Sequence, residues 1–282
     1  MGRGEEKIVI YRAVFSDIDG TLLASDHSLP PGTAEAVRAV SRTGVPFGLV
    51  SARSPSGVFR VQEQLGIFGP VVCYGGALIL DRDRKTAHSL GLDIDRIAAL
   101  RERIRSDWPG IAATVYSHDD WFVENAADRR VLTESGITGA TPTEIASGGL
   151  AALAREAHKT FCIGDAEDIL AAEACLAREN PDLAVVKSCP IFLEVMHGGA
   201  SKANAMASLC RAMDISLEET VAFGDNYNDV DMLEAAGLGV AMGNAPEEVR
   251  RKADLIAADS DHEGVAQVLA GLQFRAPAYR GR

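Results

Sequence analysis

Two carboxylates two residues apart, Asp17 and Asp19, follow directly on an apolar run in RAVFSDIDGTLL, residues 12–23. Ala13, Val14 and Phe15 read as a short buried strand, and Asp19-Gly20-Thr21 as the turn that ends it. Side chains alternate along a strand, so a spacing of two puts both acids on one side until the turn begins. Carboxylates held that close repel each other, and a bound cation relieves the repulsion. Oxygen-rich sites of this kind suit Mg2+. The plain alternative is a strand end followed by a turn in which Asp is tolerated. Three further polar groups occur in similar settings: Ser51 and Arg53 after the run VPFGLV, Lys202 at the start of SKANAM, and Asp225, Asn228 and Asp229 in FGDNYNDVDML.

The elements that must position these groups fall into two rhythms. In the first 80 residues, strand-like and helix-like stretches alternate: a helix over 33–42 with Ala36, Val37 and Val40 at helical spacing, a strand over 45–53, a helix marked by Val58, Val61 and Leu65, and a strand over 71–74 leading to Gly75-Gly76-Ala77. This alternation implies right-handed crossovers and a parallel sheet, whose ligand site lies beyond the carboxyl ends of the strands. The rhythm returns after about residue 197, with helices over 201–213, 230–236 and 264–272 and strands over 220–223, 238–242 and 254–256. Between them the pattern changes. A hairpin over 77–80 and 86–90, helices at 94–104, 150–156 and 167–178, and strands at 112–116, 121–123, 159–163, 183–187 and 191–195 interleave without the parallel order, and Trp108, Trp121 and Phe122 read as core there. The expected fold is therefore α/β, a doubly wound Rossmann-like parallel sheet with an inserted α+β cap. Its core is placed at residues 1–81 and 194–282 and its cap at 82–193, with loose ends at 1–6 and 274–282.

Composition narrows the function classes. Acids outnumber bases 40 to 28, a net charge of −12, which argues against a nucleic-acid binder that must neutralise phosphates with clustered Lys and Arg. No apolar run approaches the roughly 18 residues of a membrane span, and the start MGRGEEKIVIYRAVF, with acids before a short strand-like run, is unlike a signal peptide. The five cysteines are scattered, odd in number and never paired as CxxC, as expected for reduced thiols in a cytoplasmic protein. Oligomeric state is not legible in the sequence.

Taken together, DIDGTLL, VSAR (residues 50–53), SKANAM (201–206), FGDNYNDVDML (223–233) and VAMGNA (240–245) resemble the haloacid dehalogenase superfamily, and more closely its Cof-type phosphatases, over residues 8–80 and 197–272. The resemblance implies a Mg2+-dependent phosphatase acting on a small phosphorylated metabolite. By that resemblance Asp17 attacks phosphorus to form an aspartyl phosphate, and Asp19 protonates the leaving oxygen and then deprotonates water. The metal would be held by Asp17, the Asp19 carbonyl and Asp225, with Asp229 either reaching it through water or orienting Lys202. Lys202, Ser51 and Asn228 would bind the phosphoryl oxygens. Arg53, Gly76 and Asn244 are candidates for substrate binding, although Arg53 is equally suited to pair with an acid and Asn244 to form a turn. A cap inserted after the third strand resembles those of sugar-phosphate and mannosyl-3-phosphoglycerate phosphatases, so a sugar phosphate or phosphoglycerate derivative is the expected substrate. Two positions depart from the family pattern: Gly75 stands where many relatives have Asn, and Ala203 where many have Gly. A phosphomutase would use the same acid pair. A phospho-acceptor module would have no use for Asp19 or for a large cap.

Overall fold

Eight strands form the largest sheet in the computed structural model, which describes residues 9–146, 149–153 and 156–277. Ala13–Ser16 lies inside this sheet because all four of its residues are buried, and a strand with no polar face must be covered on both sides. Val14 packs on one side with Val37, Val40, Val58, Val61 and Val265. Ala13 and Phe15 pack on the other with Ala205, Met206, Leu209 and Met232. Helices thus cover both faces, and the sheet is doubly wound.

The strand order across the sheet is Leu255–Ile256, Leu238–Ala241, Thr220–Gly224, Ala13–Ser16, Phe47–Val50, Val71–Cys73, Leu78–Leu80 and Thr86–Ser89. The first six are parallel. From Ala13–Ser16 the chain winds outward to Phe47–Val50, and from Thr220–Gly224 it winds the opposite way to Leu238–Ala241. Such a reversal leaves a crevice at the carboxyl ends of the two neighbouring strands. Local sequence starts and stops the helices on schedule: Pro31 and Pro55 occupy the opening turns of Pro31–Arg42 and Pro55–Leu65, and Gly66 ends the latter in a left-handed conformation.

The last two strands, Leu78–Leu80 and Thr86–Ser89, run antiparallel at the edge of the same sheet. The expected cap boundary at residue 82 falls inside this hairpin, whose second strand covers backbone groups that Leu78–Leu80 would otherwise leave open. At the other end, Phe192–His197 runs past residue 193 as a strand of the second sheet. The chain therefore changes sheets between Ser89 and Leu92 and again after His197.

That second sheet has six strands, in the order Pro142–Glu144, Asp120–Val123, Ala112–Ser117, Lys159–Ile163, Phe192–His197 and Leu183–Cys189. One face is covered by helices Ile94–Asp107 and Ala166–Glu179, through Leu100, Ile104, Ile169 and Leu176 against Cys162, Leu193 and Val195. The other face carries Tyr116, Trp121, Phe161 and Met196, which share one apolar cluster with Tyr74 of the larger sheet's third-strand loop. Trp121 and Phe122 are core, while Trp108 is half-buried.

Helix Arg129–Thr138 escapes a pattern search because Val131 is its one buried residue. The helix expected over 150–156 is Leu150–Leu153; Glu156 opens the strand Glu156–Ala157, and residues 154–155 lie outside the described residues. Phe274 is not a loose end, since Gln273–Phe274 pairs with Ile10–Tyr11. Residues 1–6 and 278–282, expected to be loose ends, lie outside the described residues. All five cysteines are free, and among the described residues no helix is long and apolar enough to cross a membrane.

Gly76, with φ at 113°, joins the third-strand loop to the helix Lys202–Met213, because a Cβ there would overlap the backbone of Ser201. Gly76→Ala is expected to cost ~2–4 kcal/mol through strain and overlap, lowering Tm by roughly 4–16 °C. An unchanged thermal melt would show that the loop backs away freely.

Candidate active site

Asp17 follows the last residue of Ala13–Ser16, and its N–H donates to the carbonyl of Phe223 at 3.0 Å. Asp225 follows the end of the adjacent strand, Thr220–Gly224. Two strand ends on either side of the reversal therefore deliver one carboxylate each to the same crevice. The Asp19-Gly20-Thr21 turn wraps around Asp225: Gly20 has φ at 78° and no room for a Cβ beside that carboxylate, and Thr21 Oγ1 donates to Asp225 Oδ1 at 2.7 Å.

Lys202 enters from the first turn of Lys202–Met213, a helix capped by Ser201, whose hydroxyl accepts from the Asn204 N–H at 3.1 Å. Its side chain is 2% exposed, and Nζ lies 2.5 Å from both Asp17 Oδ1 and Asp229 Oδ1. Asp229 is fully buried, and its second oxygen accepts from the N–H groups of Asp225 and Asn226 at 3.0 and 2.9 Å. One carboxylate thus both aims the lysine and shapes the loop that presents Asp225.

The electrostatics follow from this crowding. Burial pushes the Asp17 carboxyl well above the usual range, and Asp229 and Asp225 push it further, while Lys202 opposes them. Burial, aided by Asp229, lifts Asp225 to about 6 against the opposing Thr21 hydroxyl. For Lys202, burial pulls the pKa down but Asp17 and Asp229 more than offset it, so the amine stays charged. Asp17, Asp225 and Asp229 offer oxygens all within 4.8 Å of one another. Three carboxylates against one ammonium leave an excess of negative charge, and a hard divalent cation fits both the donor set and the deficit.

Asp19 is placed differently. Its carboxylate receives a two-pronged contact from Arg53, Nε to Oδ2 at 2.8 Å and Nη2 to Oδ1 at 2.5 Å, and its side chain is 43% exposed. Of the two roles open to Arg53, the structure shows pairing with an acid. The Asp19 side chain is outside the carboxylate cluster, which leaves its backbone carbonyl as the atom expected at a metal. Ser51 is buried, its hydroxyl accepting from the Arg53 N–H at 3.2 Å. Asn228 is exposed and lines a cavity of about 320 Å³ together with Ala52, Gly75, Lys202 and Glu194. Asn244 spends its amide internally, donating to the Gly20 carbonyl at 2.9 Å and accepting from the Ser260 N–H at 3.1 Å. Asn244 and Gly76 thus hold loops together at the rim.

Sequence reasoning passed over three residues here. Thr21 was legible as a hydroxyl inside the turn motif. Lys159 and Glu194, both from the second sheet, carry no motif and meet the site only through tertiary packing: Lys159 Nζ donates to the Ala52 carbonyl at 3.2 Å and lies 3.5 Å from Glu194 Oε2.

Residues 14–269 match the family model for haloacid dehalogenase-like hydrolases. A Haemophilus influenzae protein whose name carries a provisional phosphatase assignment is 36% identical over 93% of this chain and 98% of its own. A pyridoxal phosphate phosphatase of Escherichia coli is 27% identical over 92% of this chain and 97% of its own. Among solved structures, a haloacid dehalogenase-like hydrolase from Bacteroides thetaiotaomicron superposes with a TM-score of 0.85 at 28% identity, covering 93% of this chain and 99% of that one.

The carboxylate cluster makes a direct forecast about cation binding. Mg2+ at about a hundredfold its Kd is expected to stabilise the protein by roughly 2.7 kcal/mol, read as a rise in Tm, and Asp225→Asn to remove most of that rise. Equal shifts in the two proteins would place the cation elsewhere.

Proposed function

The chain belongs to the haloacid dehalogenase-like hydrolase family, as a Cof-type phosphoric monoester hydrolase, and from that premise we propose a Mg2+-dependent phosphatase that cleaves a small phosphorylated metabolite through an aspartyl phosphate on Asp17. The observation that carries this reading is the buried contact of Lys202 Nζ with Asp17 Oδ1 at 2.5 Å, beside Asp225 and Asp229.

An Asp17 oxygen attacks phosphorus, and a new P–O bond forms as the ester P–O bond breaks on the opposite side. Asp19 gives its proton to the departing oxygen, so the leaving group exits as an alcohol. Water then loses a proton to Asp19 and attacks the same phosphorus. Inorganic phosphate departs and the Asp17 carboxylate is restored. Lys202 holds Asp17 in line and sets positive charge against the phosphoryl oxygens, and the Ser51 hydroxyl and Asn228 amide donate to them. Asp17, the Asp19 carbonyl and Asp225, with Asp229 behind them, would hold Mg2+, which when bound would supply the positive charge that lets a carboxylate approach a phosphate dianion. Arg53 parks the Asp19 carboxylate at the rim, so delivery of its proton requires that this ion pair open.

The six-stranded sheet, from about residue 90 to 197, serves as the cap that excludes water and chooses the leaving group. Sugar phosphates and phosphoglycerate derivatives, mannosyl-3-phosphoglycerate among them, are the substrates the resemblance favours, and the Escherichia coli relative's name adds pyridoxal phosphate to the panel. Scattered free thiols support a cytoplasmic setting.

Asp17→Asn is expected to abolish Mg2+-dependent phosphate release while leaving the thermal melt near that of the parent. Asp19→Asn should lower kcat by about 10²–10⁴. In 18O-labelled water the released phosphate should carry the label. Normal turnover by Asp17→Asn would sink the mechanism.

A further inference from the structure

The cavity beside Lys202 is bounded on the cap side by the strands Leu183–Cys189 and Phe192–His197. Ala184, Val186 and Met196 make much of this wall apolar, and Glu194 stands among them. Glu194 is 8% exposed, and among the described residues no group donates a hydrogen bond to its carboxylate. Its ion-pair partner, Lys159, approaches Oε2 to 3.5 Å but is held back from the cavity. Lys159 Nζ donates to the Ala52 carbonyl at 3.2 Å and stands 5.6, 5.2 and 5.0 Å from the ring centres of Tyr74, Tyr116 and Phe161. The cation is boxed among aromatic faces, and the carboxylate of the pair is what meets the cavity.

A carboxylate accepts hydrogen bonds and donates none when ionised, and a buried one with unused lone pairs gains most from a ligand that supplies O–H or N–H groups. Three other charged side chains line these walls: Lys187, Lys202 and Asp231. Lys187 lies 3.7 Å from Glu173 on the helix behind the strand, and Asp231 across the cavity accepts from the Ser201 hydroxyl. We infer that Glu194 is a specificity-determining residue of the phosphatase proposed above, accepting hydrogen bonds from hydroxyl or amine groups of the leaving group and disfavouring substrates that carry a second anionic group. The inference rests on that phosphatase reading and divides its substrate panel: sugar phosphates, whose leaving groups are neutral and hydroxyl-rich, fit the cavity, and the carboxylate-bearing phosphoglycerate derivatives set like charge against like.

The test compares glucose 6-phosphate with 6-phosphogluconate, which differ at the far end of the same carbon chain by a carboxylate, using p-nitrophenyl phosphate as a general phosphatase substrate. The parent enzyme is expected to favour glucose 6-phosphate in kcat/KM by roughly tenfold or more, about 1.4 kcal/mol of discrimination. Glu194→Gln should collapse that ratio by raising the carboxylate-bearing member relative to the neutral one, and Glu194→Asp, which keeps the charge, should retain the preference. A parent enzyme that favours 6-phosphogluconate or shows no preference overturns the proposal, as does a ratio unchanged in Glu194→Gln. An enzyme that turns over p-nitrophenyl phosphate yet fails the comparison overturns this proposal alone. One that releases phosphate from none of the three overturns the phosphatase reading with it.

Discussion

A lysine ammonium buried between two carboxylates is the constraint around which the rest of this structure is arranged. Taking Lys202, Asp17 and Asp229 out of water carries a desolvation penalty of several kcal/mol per ion, which is met only by close geometry and by hydrogen bonds to the remaining lone pairs. The neighbouring elements supply that geometry. Ser201 caps the helix that aims the lysine, two backbone N–H groups take up the second oxygen of Asp229, and the strand carrying Asp17 is locked to Thr220–Gly224 by ladder hydrogen bonds. Asp225, added to this set with its own raised pKa, leaves the crevice short of positive charge. A divalent cation matches that deficit.

A parallel sheet with a reversal in its strand order explains why so distant residues meet. Asp17 and Asp225 are remote in sequence but sit at the ends of hydrogen-bonded neighbours, and much of the chain between them, after Ser89 and up to His197, forms the second sheet. The junction between the two sheets is polar as well as apolar. The Tyr74 hydroxyl donates to the His118 carbonyl at 2.6 Å, and Lys159 reaches the Ala52 carbonyl in the loop that carries Ser51. A shift of the second sheet is therefore felt at the loop that carries Ser51.

The second sheet could not be read at the same depth as the first. Core strands are short apolar runs ending in Asp, Ser or Gly, and their turns repeat a recognisable order, so their place was clear from periodicity and punctuation. Helix Arg129–Thr138 buries one residue, and the hairpin ending at Ser89 looks like the start of something new although its hydrogen bonds belong to the first sheet. Arg53 was ambiguous because a guanidinium serves a substrate and an internal carboxylate equally well; its contact with Asp19 is a product of tertiary placement.

By itself the sequence determined which residues could do chemistry and which elements end in them. Asp17, Asp19, Ser51, Lys202 and Asp225 stand at strand or helix ends because local propensity and apolar spacing put them there. Only the tertiary structure decided which of them touch. It drew Lys202 onto Asp17 and Asp229, turned Asp19 away to Arg53, used Asn244 and Gly76 to hold loops together, and stationed Glu194 against the cavity. The reason is physical: spacing along a chain governs the direction of a side chain within its own element, whereas charge pairing and burial depend on distances between elements that come into being only when the two sheets pack.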